Sequence, residues 1–184
     1  NEQMALILYG LGENGKTTLI ETLLALFGTG EYAAKTSFET FLDSDKGGPR
    51  DDLAALAGCR LVVAAESAAG RNFNETLIKE ATGGDTITAR FLYKRYFSFE
   101  PQFQLWLATN NRPVVREQTH AFWRRIRLIP FVETITAEEK IPDLGEKLKE
   151  EELSGILNWA LAGCRLYLEE GLVTPESVVS ATSD

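Results

Sequence analysis

Residues 9–28, YGLGENGKTTLIETLLALFG, place a glycine-rich loop between a short apolar run and leucines at helical spacing. The loop matches G-x-x-x-x-G-K-T from Gly10 to Thr17 at every fixed position. The flanking patterns predict a buried strand over 4–9 and a helix over 17–27. Glycines let backbone N–H groups turn inward around phosphates, and the helix N-terminus adds its positive dipole end. The stretch therefore predicts a site for a nucleoside triphosphate.

Individual residues of this loop have predicted roles. Lys16 supplies positive charge to the β and γ phosphates, and the Thr17 hydroxyl can ligate Mg²⁺. The structural alternative is a glycine-rich turn that binds nothing, and the strand and helix patterns on either side argue against it. The predicted nucleotide-binding residues are Gly10, Gly12, Glu13, Asn14, Gly15, Lys16, Thr17 and Thr18.

Two later apolar runs end in polar residues that could complete the site. RLVVAA at 60–65 predicts a buried strand that ends at Glu66, and QLWLAT at 104–109 predicts one that ends at Asn110. Glu66 could ligate Mg²⁺ or activate the attacking water, or it could merely begin a loop, and Ala65 leaves no second acid beside it. Asn110 could reach the γ-phosphate or orient the water, or it could simply belong to a turn.

Positive charge is concentrated in one part of an acidic chain. The 184 residues have a net charge of −8. Between Arg90 and Arg127, eight Arg or Lys stand against two Glu, a net of +6, so the remainder carries −14. The average charge argues against a nucleic-acid-binding protein, whereas the basic segment indicates a local anion-binding surface.

The basic segment begins with TITARFLYKRYFSFE at 86–100, which is rich in Thr, Tyr and Phe. Its partial alternation predicts a β-hairpin with a tip near Lys94 and Arg95. Cations between aromatic rings can hold phosphates by charge and bases by stacking, so Arg90, Lys94 and Arg95 are candidate nucleic-acid contacts. Packing of the aromatic rings is the structural alternative.

A pair of arginines, Arg124 and Arg125, precedes a predicted strand over 126–132. An arginine from a second site can stabilise charge on a phosphoryl group during its transfer. Two solvated arginines beside a strand are the structural alternative.

The C-terminal part of the chain has a different pattern. Acidic residues crowd 133–152, and apolar residues at helical spacing follow over 153–168. Strands separated by helices, followed by a helical tail, predict an α/β fold. We expect a P-loop core over 1–132, built on a parallel sheet with helices on both faces and an inserted hairpin. Residues 133–184 are expected to form a small helical appendage.

Several further expectations concern single residues and the chain as a whole. Cys59 and Cys164 are expected to be reduced, and Trp106, Trp123 and Trp159 are expected to serve in packing. No apolar run has the length needed to cross a membrane. The chain enters an apolar run almost directly, so we expect a piece of a longer protein.

The ordered motifs together resemble the ATPase domain of superfamily 3 helicases, in the branch of phage, plasmid and poxvirus primase–helicases. The resemblance covers about residues 4–171 and rests on LYGLGENGKTTL, RLVVAAE, IKEATGGDTITARFLYKRYFSFEP, LWLATNNRP and AFWRRIRLIPF. It implies an AAA+-type ATP hydrolase that needs ATP and Mg²⁺. Such domains form a ring, usually a hexamer, around single-stranded DNA.

The resemblance also implies roles for the residues of the predicted nucleotide site. Gly15, Lys16 and Thr17 match the phosphate loop, Glu66 matches the acidic Walker B position, and Asn110 matches the sensor asparagine. Many members carry two acids at the Walker B position, so the identity of the general base stays open here.

The basic residues have counterparts too. Arg124 or Arg125 matches the arginine finger, which acts on ATP held by the neighbouring subunit, and Lys94 and Arg95 fall on the DNA-gripping hairpin. The resulting expectation is a DNA helicase domain of a viral or mobile-element replication protein, acting in the cytoplasm of a bacterial or virus-infected host cell. A nucleotide-gated assembly ATPase and a small-molecule P-loop kinase are the alternatives.

Overall fold

A computed structural model describes residues 2–43, 49–65, 72–111 and 119–183. The elements in chain order are β1 (Ala5–Tyr9), α1 (Lys16–Phe27), β2 (Ala33–Ser37), a 3₁₀ helix (Phe38–Phe41), α2 (Asp51–Ala54), β3 (Leu61–Ala65), α3 (Glu75–Gly83), β4 (Ile87–Ala89), β5 (Phe97–Phe99), β6 (Gln104–Thr109), α4 (His120–Trp123), β7 (Ile126–Pro130), α5 (Leu144–Glu151), α6 (Leu153–Glu170) and α7 (Glu176–Ser183).

Five strands form a parallel sheet in the order β2-β3-β6-β1-β7. Because all five run in the same direction, their ends define two edges of the sheet. The carboxyl edge follows Tyr9 in β1 and Thr109 in β6, which are register partners. The amino edge precedes Ala5 in β1 and its partner Ile126 in β7. Loops at the carboxyl edge are where open parallel sheets usually bind ligands.

Two apolar cores cover the two faces of this sheet. One packs Ile20, Leu23 and Leu24 of α1 against Leu8 and Val63. The other packs the 3₁₀ helix, α2 and α3 against the opposite face, and its buried members include Phe41, Leu53, Ile78, Ile7 and Val62. Neighbouring strand residues therefore point to opposite cores, as the period of two requires. The predicted α/β fold, with a parallel sheet and helices on both faces, is confirmed.

The predicted hairpin is also present, with shorter strands than the sequence pattern indicated. β4 and β5 pair in antiparallel fashion with Ile87 opposite Phe99. The chain reaches the hairpin from α3, where the Asn74 side chain accepts a hydrogen bond from Leu77 N at 2.9 Å and caps the helix.

The C-terminal helices differ in how they pack. α7 lies on β7, where Val178 is buried and the Thr182 hydroxyl accepts a hydrogen bond from Leu128 N at 3.0 Å. α6 has no buried residue, and Trp159 is 69% exposed. The expected packing of Trp159 is therefore wrong, whereas Trp106 and Trp123 do pack against the cores. The division at residue 132 stays a prediction.

Two other observations bear on the expectations for the whole chain. Cys59 is buried, Cys164 is exposed, and both are free thiols. Within the described ranges, no helix has the combination of length and apolar character that crossing a bilayer needs.

Candidate nucleotide site and basic hairpin

The glycine-rich loop connects β1 to α1 at the carboxyl edge. Gly15 adopts a left-handed conformation (φ 81°) immediately before α1, which glycine accepts without strain. Gly10 is required for a different reason, since a Cβ there would lie 2.1 Å from the backbone oxygen of Phe131. That close approach follows from pairing of the chain after β7 with β1, where Phe131 N donates to Tyr9 O at 2.7 Å.

Lys16 is the most constrained charged residue of the loop. Its side chain is 6% exposed, and Nζ donates to Gly10 O at 2.6 Å, Leu11 O at 3.2 Å and Asn14 Oδ1 at 2.9 Å. Desolvation by burial lowers the pKa of Lys16. All three acceptors are uncharged, so an anionic ligand would interact with this ammonium more favourably than the loop does.

The side chain of Asn14 supports the shape of the loop. Its Oδ1 accepts from Lys16, while Nδ2 donates to Leu11 O and, at 3.1 Å, to Phe131 O. Asn14 therefore links the loop to the chain after β7 and holds the ammonium in place at the same time.

The loop forms one wall of a cavity of about 910 Å³. This volume suits a ligand of nucleotide size. The lining residues are Gly12, Glu13, Asn14, Gly15, Lys16, Thr17, Thr18, Asn110, Glu133, Thr134, Ile135, Glu139, Lys140, Ile141, Asp143, Leu144 and Gly145. Seven of the eight predicted nucleotide-binding residues thus line the cavity, together with Asn110. Gly10 lies behind it, and its carbonyl accepts from Lys16.

Residues between 133 and 145 form the other wall of the cavity, and no local sequence pattern had assigned them to the site. Ile135 N donates to Glu13 O at 2.7 Å, and Lys140 Nζ lies 3.5 Å from Glu13 Oε1. These contacts hold the first part of the predicted appendage against the loop. The local sequence reads only as an acidic stretch with a few apolar residues. Its place at the site follows from the path of the chain after β7.

Of the two predicted residues at strand ends, the structure describes one. Asn110 follows Thr109, the register partner of Tyr9, so it stands level with the start of the glycine-rich loop. Its side chain is exposed to the cavity that the loop lines. Glu66 lies outside the described residues.

The donor groups at the cavity fit a metal ion that arrives with a nucleotide. Within the described ranges, no cluster of three His, Cys, Asp or Glu could hold a metal by itself. Thr17 offers an exposed hydroxyl at the start of α1, and Asn110 offers an amide oxygen. Mg²⁺ in such sites commonly takes one or two protein ligands and fills its other positions with water and phosphate oxygens.

The structure does not bring Arg124 and Arg125 to this cavity. They precede β7 at the amino edge, where Ala5 N donates to Arg125 O at 2.7 Å. The length of β1, five residues at about 3.3 Å each, separates this edge from the loop. Arg124 is exposed, whereas Arg125 donates to Ala121 O at 2.6 Å and has a buried Nε. Neither arginine can reach the cavity of its own chain from this position.

The basic hairpin also lies away from the cavity, since β6 starts at the amino edge soon after β5 ends. Lys94 and Arg95 are exposed at its tip, and neither pairs with a carboxylate among the residues described. Arg90 stacks on Tyr96, with the guanidinium carbon 4.5 Å from the ring centroid. The predicted cationic tip is thus exposed, as a nucleic-acid contact requires.

The fold is shared with solved structures of the NrS-1 C-terminal region. An apo structure of that region superposes with a TM-score of 0.71 at 18% identity, covering 98% of this chain and 42% of the other. A second, the A form, gives 0.65 at 14% identity, covering 95% and 38%. These superpositions show a common fold, and at identities this low they show the fold alone.

Curated relatives come from large DNA viruses. A putative helicase of Acanthamoeba polyphaga mimivirus is 30% identical over 201 residues, covering 99% of this chain and 21% of the relative. A putative helicase of Frog virus 3 is 30% identical over 205 residues, covering 98% and 20%. The chain thus spans about a fifth of the length of these relatives.

The names of these viral relatives support a helicase-type domain, in agreement with the predicted resemblance. A family model covers residues 8–125, from the end of β1 to the start of β7. The chain belongs to the family described as "Family of unknown function (DUF5906)".

Proposed function

We propose that this helicase-type domain is an ATP-driven motor that moves along single-stranded DNA. The observation that carries the proposal is Lys16, a buried ammonium at a nucleotide-sized cavity, whose acceptors among the described residues are all uncharged. The family resemblance and the viral relatives support replication of a virus or mobile element as its setting, within a bacterial or virus-infected host cell.

In the proposed chemistry, the backbone of residues 12–18 surrounds the phosphates of ATP. Lys16 exchanges its carbonyl acceptors for β and γ phosphate oxygens, and the positive end of α1 adds to the attraction. Thr17 and Glu66 would hold Mg²⁺, directly or through water, and the ion when bound neutralises phosphate charge. Asn110 would orient the water that attacks the γ-phosphate. Glu66 remains a candidate for either metal ligation or proton abstraction.

The positions of the arginines support a ring in which ATP lies between subunits. An arginine at the amino edge cannot act on its own cavity, but it can act on the cavity of a neighbour in a head-to-tail arrangement. We propose a homohexamer in the full-length protein. Arg124 is the better candidate for the arginine finger, because its side chain is exposed whereas Arg125 already donates to Ala121 O.

The hairpin would grip the DNA strand inside this ring. Arg90, Lys94 and Arg95 supply positive charge for the phosphates, and two of them have exposed side chains without a carboxylate partner in the described part of the chain. Hydrolysis at the subunit junction would then move the hairpin relative to the sheet.

The test is ATP hydrolysis by the full-length protein with and without single-stranded DNA. We expect stimulation by DNA in the wild type and loss of about a hundredfold or more in Lys16→Ala, since a preorganised charge is removed. The matched control is Lys35→Ala, an exposed lysine paired with Glu21, which should leave the rate unchanged. A wild type that neither binds DNA nor responds to it would contradict the proposal.

The two alternatives predict different outcomes. A kinase with a lid would need arginines close to its own cavity, and Arg124 and Arg125 lie at the other edge of the sheet. An assembly ATPase would hydrolyse ATP and form rings without displacing a DNA strand. A strand-displacement assay on the full-length protein distinguishes it from a translocating motor.

A further inference from the structure

The tip of the β4–β5 hairpin carries one aromatic side chain that packing does not explain. Phe91 stacks on Phe97 with ring centroids 6.1 Å apart, and Phe97 contacts Phe99 at 6.0 Å. Phe97 and Phe99 pack in turn against the larger core. Tyr93 has no ring contact or side-chain hydrogen bond among the described residues and is 94% exposed. The hairpin is therefore anchored by other rings.

The backbone at Tyr93 adds to this observation. The residue has a φ of 61°, in a turn that Lys94 N closes by donating to Phe91 O at 2.9 Å. Glycine or asparagine accepts this conformation far more readily than a bulky aromatic residue does. A turn that served only to reverse the chain would not need tyrosine here. Backbone strain of this kind clusters at active sites and ligand-binding regions.

The neighbours of Tyr93 combine flat surfaces with positive charge. The guanidinium of Arg90 lies over Tyr96, whose ring is still 62% exposed. Lys94 and Arg95 are exposed on the same turn. Unpaired bases offer flat faces for stacking and their phosphates offer negative charge, so single-stranded nucleic acid matches both features. A purely apolar partner would match only the rings.

We propose that Tyr93 stacks on an unpaired base while Lys94 and Arg95 hold the flanking phosphates. This proposal rests on the proposed function, since it assumes that the hairpin contacts single-stranded DNA. Stacking would add binding energy that depends on the presence of a base but tolerates any sequence. Binding through phosphate contacts alone would weaken steeply as salt rises.

The test compares two labelled strands of equal length, an oligothymidylate and an abasic strand with the same phosphates and no bases. We expect Tyr93→Ala to weaken binding of the oligothymidylate roughly five- to hundredfold and to leave binding of the abasic strand unchanged. Tyr93→Phe keeps the ring and should bind both strands like the wild type. Tyr32→Ala, which removes an exposed tyrosine far along the chain, is the matched control.

Two further variants keep the outcomes separate. Tyr93→Gly relieves the backbone strain and should show the same selective loss as Tyr93→Ala, which excludes misfolding as the cause. Lys94→Ala should weaken binding of the two strands equally. It should also reduce the slope of log affinity against log salt concentration by about one.

The results that overturn the proposal are distinct from those that overturn the proposed function. If Tyr93→Ala loses the same affinity for both strands, or loses none for either, base stacking is overturned. The proposed DNA contact then still stands if Lys94→Ala weakens binding of both strands. No binding of either strand by the wild-type full-length protein overturns both the stacking proposal and the proposed function.

Discussion

Two lysines show how differently the two edges of the sheet are built. Lys16 at the carboxyl edge is 6% exposed and has three oxygen acceptors within hydrogen-bond distance among the described residues. Lys94 at the hairpin tip is exposed and has no carboxylate partner within the described ranges. The first is positioned by the fold before any ligand arrives. The second is free to follow a ligand that moves.

This difference has a consequence for binding. A buried charge is screened little by salt, and an exposed one is screened within about 10 Å at moderate ionic strength. We therefore expect nucleotide binding to be nearly independent of salt and strand binding to weaken steeply as salt rises. Tight positioning suits a site that does chemistry, and loose positioning suits a contact that must be made and released.

The largest expected effect tests whether Arg124 at the amino edge acts on the cavity at the carboxyl edge of a neighbouring subunit. Arg124→Ala should lower DNA-stimulated ATP turnover of the full-length protein by about 10³, because it removes charge at the transferring phosphoryl group. Its stability should stay within about 0.5 kcal/mol of the wild type, since the side chain is exposed. Arg125→Ala should instead lose about 1–2 kcal/mol of stability with its bond to Ala121 O.

A mixing experiment checks that Arg124 acts between subunits. Arg124→Ala and Lys16→Ala should each hydrolyse ATP very slowly alone, but a mixed ring would contain junctions with an intact cavity and an intact arginine. Recovery of turnover on mixing is expected. Full activity of Arg124→Ala by itself, or no recovery in rings shown to be mixed, would contradict action across a junction.

A second prediction tests how rigidly the backbone of the glycine-rich loop is held against the chain after β7. Gly10→Ala places a Cβ 2.1 Å from Phe131 O, and should cost about 1–3 kcal/mol of stability because backbone must move. Gly12→Ala is the matched control, since nothing lies within 4 Å of its Cβ, and should change stability by less than about 0.5 kcal/mol. Urea midpoints measure both, and equal midpoints would show that the loop adapts.

A third prediction concerns what the buried lysine costs the folded state. Burial lowers the pKa of Lys16, so the charged form is penalised on folding. Lys16→Met should raise the free energy of unfolding by about 1 kcal/mol at neutral pH while abolishing nucleotide binding. The penalty is fully present below the folded-state pKa and is relieved as pH rises from there towards 10.5.

The advantage of Lys16→Met should therefore shrink as pH rises through that window. Urea unfolding of the wild type and the variant at neutral pH and near pH 10 gives the comparison. A difference that grows with pH would mean that the ammonium stabilises the empty loop, contrary to this account.

The smallest expected effect concerns the ion pair between the loop and the opposite wall of the cavity. Lys140 and Glu13 are 3.5 Å apart with side chains 67% and 69% exposed. Lys140→Ala should change stability by less than about 0.5 kcal/mol, because exposed pairs contribute little. A loss above 1 kcal/mol would indicate that the wall is held by charge rather than by the backbone bond from Ile135 to Glu13.

Local patterns were enough to predict most elements and to single out the loop residues that line the cavity, whose roles stay predictions. The strand before Gly10, the helix after Gly15 and the hairpin around Lys94 all follow from periodicity and turn residues over short stretches. α5 was not predicted as a separate helix, and Trp159, which was expected to pack, is exposed on α6. Periodicity shows that one side of a helix is apolar, but it does not show what covers that side.

The sequence by itself determined the glycine-rich loop, the alternating elements and the concentration of positive charge, because each depends on residues that are neighbours in the chain. Tertiary structure decided that residues 133–145 form the second wall of the cavity, that Gly10 must be glycine, and that the arginines stand at the far edge. These features depend on strand order, since β7 joins β1 rather than a sequence neighbour. Strand order is set by packing of the whole sheet, which no short stretch encodes.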